Sequence, residues 1–396
     1  IPVALRRIDG HAMLVNQKAL DLAGITTETK VEGGSIISEN GNLTGILIDS
    51  PMNLVQAILP ESTLNNKIKA LKDAAQIGFE NGLTTVSVAG MQKDDIMLID
   101  SLQTAGVLNM RVYAMISNTK ENMDYFLKTG PLKTNMLNVR SFKVYADGAL
   151  GSRGAALKNP YSDLKSHKGV FITSKDSIEK LAYQLAATPF QMNTHAIGDD
   201  ANKVVLDAYK KALVFSDDPR WRIEHAQIID TLDIKLFNRK IIPSIQPTHA
   251  TSDMYWAEDR LGPHRIHHAY SYRRIFNAAN ERVAFGTDFP IEHIDPLATF
   301  FAATTRQDKN HWPEHGFLPE QAISPGMAIG AMTREAAYSA FGEDTYGSIA
   351  IGQKANFTLL NTNLWSEDAA LRERTQVVKT IVGGQVLYDS NSNKGR

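Results

Sequence analysis

Apolar positions recur at helical spacing between residues 63 and 81, which predicts an amphipathic helix there. Its apolar face comprises Leu64, Ile68, Leu71, Ala75 and Phe79. Gly82 follows directly and is placed to end the helix. Further amphipathic segments over 177–187 and 200–213 predict two more helices downstream.

Short apolar and β-branched runs alternate with these helices and predict seven strands. They lie at residues 84–89, 110–116, 139–146, 190–194, 221–224, 241–245 and 283–287. Repeated strand-then-helix units imply a parallel sheet with right-handed crossovers. No GxGxxG sequence follows any of the strands, which disfavours a dinucleotide-binding fold. The predicted fold class is α/β, a (β/α)₈ TIM-type barrel whose first strand is not found in the sequence.

Two regions flank the predicted barrel, which spans residues 63–346 and holds strands two to eight. Residues 1–62 are rich in Gly, Asn, Ser and Thr and are predicted to form an irregular insertion or lid over the barrel mouth. A hairpin signal, Glu-Asn-Gly-Asn at 39–42, interrupts this region. Residues 347–396 predict the C-terminal part of a small β-sandwich-type domain with antiparallel strands.

The amino-acid composition limits the kinds of molecule that the protein is expected to bind. Lys and Arg number 42 and Asp and Glu number 43, so the net charge of −1 disfavours nucleic acid. No run reaches the roughly 18 apolar residues of a membrane span. Cys is absent, which excludes disulfides, thiolate metal sites and a Cys nucleophile. A small-molecule substrate is the expected partner.

The first residue of the sequence is Ile1, with neither an initiator Met nor a signal-peptide pattern. The expectation is a fragment or a processed chain of a soluble protein. The cytoplasm is the expected compartment, and the periplasm or secretion is the alternative. A missing first strand would leave the strands near Thr84 and Val283 with unpaired edges, so either a homodimer or a rearranged edge is expected.

Side chains of the types that bind metals occur at the carboxyl ends of predicted barrel strands, which is where barrel enzymes have their active sites. His195, His225 and Asp288 end three strands, and Lys143 lies within a fourth. Each has an ordinary structural interpretation: a hydrogen-bonded histidine, a turn-capping aspartate before Phe289 or a snorkelling lysine. Three such groups at one barrel mouth instead favour a site for Zn²⁺ or a similar ion.

Longer motifs extend over most of the chain. They are LRRIDGH at 5–11, FKVYADGALGSR at 142–153, THAIGD at 194–199, RIEHA at 222–226, QPTH at 246–249, FGTD at 285–288 and GSIAIGQKA at 347–355. With these motifs the chain resembles the amidohydrolase superfamily. The resemblance is to the branch of metal-dependent hydrolases that contains the N-substituted formamide deformylases and the YtcJ-like proteins.

The resemblance implies a hydrolase that cleaves a carbon–nitrogen bond, other than a peptide bond, of an amide, N-acyl or N-formyl compound with metal-activated water. It implies that Lys143 is carboxylated and bridges two metals, and that His195 and His225 bind the second metal. It further implies that Asp288 binds the first metal, takes a proton from water and passes it to the leaving nitrogen.

One family feature is absent from the sequence. The first strand of the superfamily ends in His-x-His, and none of the 11 histidines here has that spacing. We therefore expect the chain to bind one or two divalent ions, with zinc as the favoured metal. At most one of these ions is expected to be well occupied. The alternative is a truncated, inactive or single-metal member that binds ligand without turnover. A sugar- or nucleotide-binding barrel is disfavoured because no phosphate-cradling Gly motif occurs.

Five further residues are candidates for substrate contact, each with a structural role as the alternative: His11, His249, Asp147, Arg153 and Trp256. If the first metal has other ligands, His11, His249 and His293 are the first candidates. The identity of the substrate is not encoded in any motif.

Overall fold

The computed structural model of the protein describes residues 1–8, 10–365 and 374–392. Within them the strands are β1 (Ala4–Arg6), β2 (Ala12–Val15), β3 (Gly34–Glu39), β4 (Asn42–Asp49), β5 (Thr85–Met91), β6 (Arg111–Ser117), β7 (Leu132–Lys133), β8 (Leu137–Tyr145), β9 (Gln191–Ala196), β10 (Trp221–His225), β11 (Ile241–Ile245), β12 (Ala284–Phe285), β13 (Phe357–Leu360), β14 (Val377–Val382) and β15 (Gln385–Asp389). The α-helices are α1 (Gln17–Leu22), α2 (Met52–Gln56), α3 (Leu64–Glu80), α4 (Lys93–Thr104), α5 (Lys120–Thr129), α6 (Lys175–Ala186), α7 (Asp199–Ala212), α8 (Pro247–Asp253), α9 (Ala257–Arg265), α10 (Tyr272–Ala278), α11 (Pro296–Thr305), α12 (Pro325–Met332) and α13 (Arg334–Ser339).

The central sheet of the described residues has seven parallel strands in the order β12-β11-β10-β9-β8-β6-β5. The short strand β7 pairs antiparallel with β8 off this path. The seven strands predicted from the sequence are all present, and β9, β10 and β11 are buried along their whole length. Such a sheet with crossover helices is the TIM-like α/β architecture. Strands β5 and β12 lie at its two ends.

The local sequence of helix α3 explains where this helix begins and ends. The Thr63 hydroxyl caps its N-terminus by accepting the Asn66 N–H at 3.3 Å. Ala75 and Phe79 are buried on its apolar face, as the spacing predicts. Gly82 follows with a φ of 79°, a conformation that side chains rarely adopt, and so ends the helix.

The N-terminal region differs from the expected irregular insertion. Within residues 1–8 and 10–62 the structure has an antiparallel sheet in the order β1-β2-β4-β3, and the hairpin predicted at 39–42 joins β3 to β4. Apolar side chains of this sheet and of α1 and α2 form a separate core that includes Met13, Leu20 and Leu47. The small and polar residues that suggested a loop are divided between turns and strands: Asn40 and Gly41 form the hairpin turn, Asn42 is exposed on β4, and Gly45 of β4 is buried.

The C-terminal part is an antiparallel sheet in the order β13-β14-β15, as predicted. It packs on the end of α3, where the Thr380 hydroxyl donates to the Phe79 carbonyl and the Thr358 hydroxyl to the Gly82 carbonyl, both at 2.6 Å. The stretches 366–373 and 393–396 of the predicted β unit lie outside the described residues. In the part of the chain that the structure covers, every helix is too short or too polar to cross a bilayer.

Candidate metal centre

The carboxyl ends of the parallel strands bring the predicted metal-site residues to one place. Lys143, His195 and His225 belong to β8, β9 and β10, and Asp288 follows β12. Neighbouring strands pair in register, with Tyr145 opposite His195 and His195 opposite Glu224. These four side chains line a single cavity of about 2240 Å³. The cavity exceeds the roughly 300–1,000 Å³ of most ligand sites because it continues down the inner face of the open sheet.

Ring and carboxylate distances show how closely these groups converge. The imidazole centroids of His195 and His225 are 4.6 Å apart, and those of His225 and His249 are 6.0 Å apart. Oδ2 of Asp288 lies 4.0 Å from Nδ1 of His225 and 3.5 Å from Nε2 of His249. One ligand atom each from His225, His249 and Asp288 all lie within 4.8 Å of one another, a spacing that suits one metal ion.

His249 was predicted from the sequence to contact substrate, or to bind the first metal if that metal has other ligands. It lies in the first turn of α8, directly after β11. Its Nε2 is buried and makes no hydrogen bond, and its Nδ1 lies 3.4 Å from Oε1 of Glu292. A carboxylate behind an imidazole is the usual way to orient a metal-binding histidine.

Glu292 itself was not identified from the sequence. It lies beyond the Asp288 turn, where no strand end or periodic pattern indicates it. Its carboxylate also accepts a hydrogen bond from the Ser252 hydroxyl at 2.5 Å, which fixes it beside α8. The only sequence signal is an acidic residue four positions after Asp288.

Burial keeps the three histidines in the neutral form that binds metals. It lowers the pKa of His225 to about 3 and that of His249 to about 4, and the Lys143 charge lowers the former further. The pKa of His195 is also lowered well below its usual range, chiefly by desolvation. Burial raises the pKa of Asp288, while the nearby His249 and Lys143 oppose that rise.

Gln246 fixes the tautomer of His225. Its side-chain oxygen lies 2.8 Å from Nδ1 of His225. An amide oxygen only accepts hydrogen bonds, so Nδ1 carries the proton and Nε2 keeps its lone pair for a ligand. The backbone is unusual here as well, since φ is 77° at His225 and 58° at Asp288. Non-glycine residues in this region cost energy and cluster at functional sites.

Lys143 is 3% exposed. Its Nζ lies 4.5 Å from the centroid of the Tyr145 ring, a cation–π contact, and the side chain lines the cavity. Two buried partners on β10, Arg222 and Glu224, form an ion pair of 2.7 Å on the same cavity wall.

The remaining predicted residues divide into two groups. Trp256 and His11 line the cavity. Asp147 and Arg153 instead hold the loop after β8 together and are not on the cavity wall. Asp147 accepts the backbone N–H groups of Ala156, Ile197 and Gly198 at 2.8–3.0 Å, and Arg153 pairs with Asp163 at 2.8 Å. Substrate contact by these two residues stays a prediction.

Asp147 also contacts His195 of the metal centre. Its Oδ1 lies 3.5 Å from Nε2 of His195, and burial raises its pKa to about 7. The Gly148 carbonyl is likewise 3.5 Å from that nitrogen. His195 is therefore held by the loop after β8 and packs edge-on against His225.

The donor set fits a divalent ion. Two neutral imidazoles and a carboxylate are the ligands that zinc and similar ions prefer, and a catalytic ion needs only three protein ligands. The buried Nε2 of His249, which makes no hydrogen bond, is the atom a metal would satisfy.

A parallel α/β sheet with histidines and an aspartate at its strand ends is the arrangement of the barrel-type metal-dependent hydrolases. The model of the Amidohydrolase family matches residues 1–388, and the chain belongs to this family.

Relatives support this membership. The protein LONG AFTER FAR-RED 3 of Arabidopsis thaliana is 31% identical, over 98% of this chain and 69% of that protein. The N-substituted formamide deformylase of Arthrobacter pascens is 24% identical, over 96% of this chain and 72% of that enzyme. Among solved structures, an uncharacterized metal-dependent hydrolase from Pyrococcus horikoshii OT3 superposes with a TM-score of 0.76 and 25% identity, over 94% of this chain and 73% of that one.

Proposed function

We propose that the protein hydrolyses a carbon–nitrogen bond, other than a peptide bond, in an amide, N-acyl or N-formyl compound, with zinc as the favoured metal. The observation that carries the proposal is the convergence of His195, His225, His249 and Asp288 at one end of the parallel sheet. The deformylase relative supports the C–N bond class, because its name specifies an N-substituted formamide.

A bound divalent ion would polarise the scissile carbonyl and make water more acidic. Residues His225, His249 and Asp288 would hold it, with His195 and Lys143 beside them. The carboxylate of Asp288 takes a proton from the attacking water and returns it to the leaving nitrogen. Water adds to the carbonyl carbon, the C–N bond breaks, and the products are a carboxylic acid and an amine.

Lys143 is proposed to be carboxylated on Nζ by carbon dioxide. Addition of CO₂ to the neutral amine forms an N–C bond, releases the amine proton and yields a carbamate anion. Lys143 lines the same cavity as His195 and His225, where a carbamate would replace a cation with two metal-binding oxygens. This supports the role that the family resemblance implies.

Substrate contact is proposed for the wall of the cavity near the centre. His11 and Trp256 belong to this wall, as do Phe289 and Tyr145. Phe289 is 55% exposed and follows Asp288 directly, so an aromatic or bulky apolar group is the expected neighbour of the scissile bond.

Ligand binding without turnover is the second candidate function. The observation that favours it is the ligand count, because these 396 residues contain no His-x-His. Among the described residues, His225, His249 and Asp288 form one three-ligand set, and no second set of three His, Asp or Glu side chains at this spacing is found.

The test is hydrolysis of a panel of N-substituted formamides, N-acyl amines and dipeptides by the zinc-loaded chain, with release of the amine as the readout. Turnover of formamides or acyl amines that is lost in Asp288→Asn supports the proposal. Binding without amine release would favour the second candidate function. Turnover of dipeptides alone would contradict the bond class.

A further inference from the structure

A hydrogen-bonded carboxylate lies on the cavity wall, one helical turn from the candidate metal ligand His249. Asp253 is the last residue of α8, four positions after His249, so the two side chains share a face of that helix. Gln227 follows the ligand His225 by two residues, and both Asp253 and Gln227 line the cavity. Neither residue takes part in the proposed metal binding or proton transfer.

Asp253, Gln227 and Tyr270 form a closed hydrogen-bonded network. The Tyr270 hydroxyl donates to Oδ2 of Asp253 at 2.8 Å, and Nε2 of Gln227 donates to the same oxygen at 3.1 Å and to the Tyr270 hydroxyl at 2.8 Å. An ionised carboxylate only accepts hydrogen bonds, and the hydroxyl has a single proton, which it donates to Asp253. The group of Gln227 that faces both partners is therefore the donor Nε2, and the three side chains hold one another in a fixed orientation.

The network leaves one oxygen of Asp253 for a ligand. Oδ2 accepts both hydrogen bonds, whereas Oδ1 accepts none from the described residues. The buried atoms without a partner do not include Oδ1, so solvent reaches it, and Asp253 belongs to the cavity wall. This oxygen therefore opens onto the cavity, on a carboxylate that cannot rotate without breaking two hydrogen bonds.

The charges around Asp253 favour a cation. Burial raises the pKa of Asp253 to about 7, so the carboxylate is ionised in mildly alkaline solution. Glu292 and Arg7 act on this pKa in opposite directions, and the repulsion from Glu292 is the larger of the two effects. An ionised carboxylate with a second acid nearby is stabilised by a positive ligand group. The indole of Trp256 lines the same cavity and offers an apolar surface to a chain that carries such a group.

We propose that Oδ1 of Asp253 accepts a hydrogen bond from an ammonium group of the substrate and that Gln227 and Tyr270 are positioning residues for this carboxylate. The protein therefore selects aminoalkyl amides over neutral alkyl amides, with the ammonium about one helical turn, roughly 5 Å, from the scissile bond. The proposal rests on the amide substrate class stated under the proposed function. It adds the charge that the substrate carries and the residue that recognises this charge.

The experiment compares N-(aminoalkyl)formamides with N-alkylformamides of the same length, in which a methyl group replaces the ammonium. Chains of increasing length cover the spacing between the metal centre and Asp253. Equilibrium binding to the zinc-loaded chain is measured by ligand-observed NMR at about pH 8.5, where Asp253 is ionised and an alkylamine is still protonated. Release of formate is followed in parallel.

Asp253→Asn removes the charge at nearly constant size, and Asp253→Glu keeps the charge. Asp259→Asn is the matched control, because Asp259 is exposed on α9 and outside the cavity. The wild-type chain and Asp259→Asn are expected to bind the ammonium ligands about tenfold more tightly than the neutral ones, the effect of one hydrogen bond between charged groups. Asp253→Asn loses this preference, whereas Asp253→Glu keeps most of it. Higher ionic strength should weaken the binding of the ammonium ligands alone, because salt screens charges at a position that solvent reaches.

Equal affinity of the wild type for the two series, or an unchanged preference in a folded Asp253→Asn, would overturn the role of Asp253 while leaving the proposed function intact. If neither series binds the wild type or releases formate, the amide substrate class is wrong, and the role of Asp253 is wrong with it. Thermal melting verifies the fold of each variant. Should Asp253→Asn not fold, the preference of the wild type and its loss at high ionic strength decide the result.

Discussion

Nε2 of His249 lies 3.5 Å from Oδ2 of Asp288, although one residue follows β11 and the other follows β12. Asp288 is the general base that the family resemblance implies, and His249 is a histidine that the sequence analysis expected to contact substrate. Together with His225 they form the ligand set of the described residues that best suits a single ion. The number of ions that the centre binds and the catalytic role of its residues can be tested in separate experiments.

We predict that the chain binds at most one divalent ion tightly. His225 belongs to this ligand set and also packs against His195, so His225→Gln is expected to reduce zinc affinity at least about 100-fold. Glu292→Gln, which removes only the orienting carboxylate, should cost about 10- to 100-fold. Competition with a chromogenic chelator measures both, and His264→Gln is the control. Two equally tight ions per chain would contradict the prediction.

Asp288→Asn is expected to abolish catalysis and spare binding. In any preparation that releases amine, kcat should fall by about 10²–10⁴ because the amide takes no proton from water. The dissociation constant of the substrate should stay within about threefold. Asp124→Asn is the control, because the Asp124 side chain is exposed on helix α5. Near-normal turnover in Asp288→Asn would remove this residue from proton transfer.

Lys143 is expected to carry a carbamate. Protein equilibrated with ¹³C-labelled bicarbonate and zinc should show a carbamate carbon resonance that disappears in Lys143→Gln. The resonance should persist in Lys175→Gln, since that lysine is half-exposed and pairs with Asp200. A spectrum without a carbamate signal in the wild type would show that the lysine stays an amine.

Asp253 makes the stability of the fold depend on pH. Burial raises its pKa to about 7, above the roughly 3.9 of an unfolded chain. Its contribution to stability is complete below about pH 4 and is lost as the pH rises through 7, at up to about 1.4 kcal/mol per pH unit. Chemical denaturation of the wild type and Asp253→Asn between pH 4 and 8 measures the difference.

Because Asp147 titrates over the same range, only that difference between the two curves reports Asp253. The variant should lose stability less steeply with pH. Parallel curves for the two proteins would contradict the shifted pKa.

The strands at the two ends of the central sheet, β5 and β12, are expected to pair with a second copy of the chain. Sedimentation equilibrium should show a monomer–dimer equilibrium that depends on protein concentration. A single monomeric species across the concentration range would contradict this expectation.

The strands were predictable because each is a short apolar run between amphipathic segments, the pattern of a buried parallel strand. His195, His225 and Asp288 were predictable as a group because parallel strands end at a common edge. How the surrounding residues meet was not. The approach of His11 to His195 depends on how the N-terminal sheet packs on the barrel, and strand periodicity does not encode it.

In the N-terminal region, the amino-acid composition predicted irregular structure where the protein has a sheet. Its Gly, Asn, Ser and Thr residues indicated a loop, but they lie both in the turns between short strands and within the strands themselves. Glu292 escaped prediction for a related reason. It approaches His249 through the turn after Asp288, and that turn has no regular structure to set its direction.

The side chains of the centre belong to strand ends, whereas most residues that would touch a substrate belong to loops and to the separate N-terminal sheet. The two sets of positions are under independent constraint, since a loop can change in length without moving a strand. A change in the length of a loop could therefore alter which substrate fits without displacing the side chains at the strand ends. The architecture separates the part of the molecule that would evolve new specificity from the part that would hold the metal.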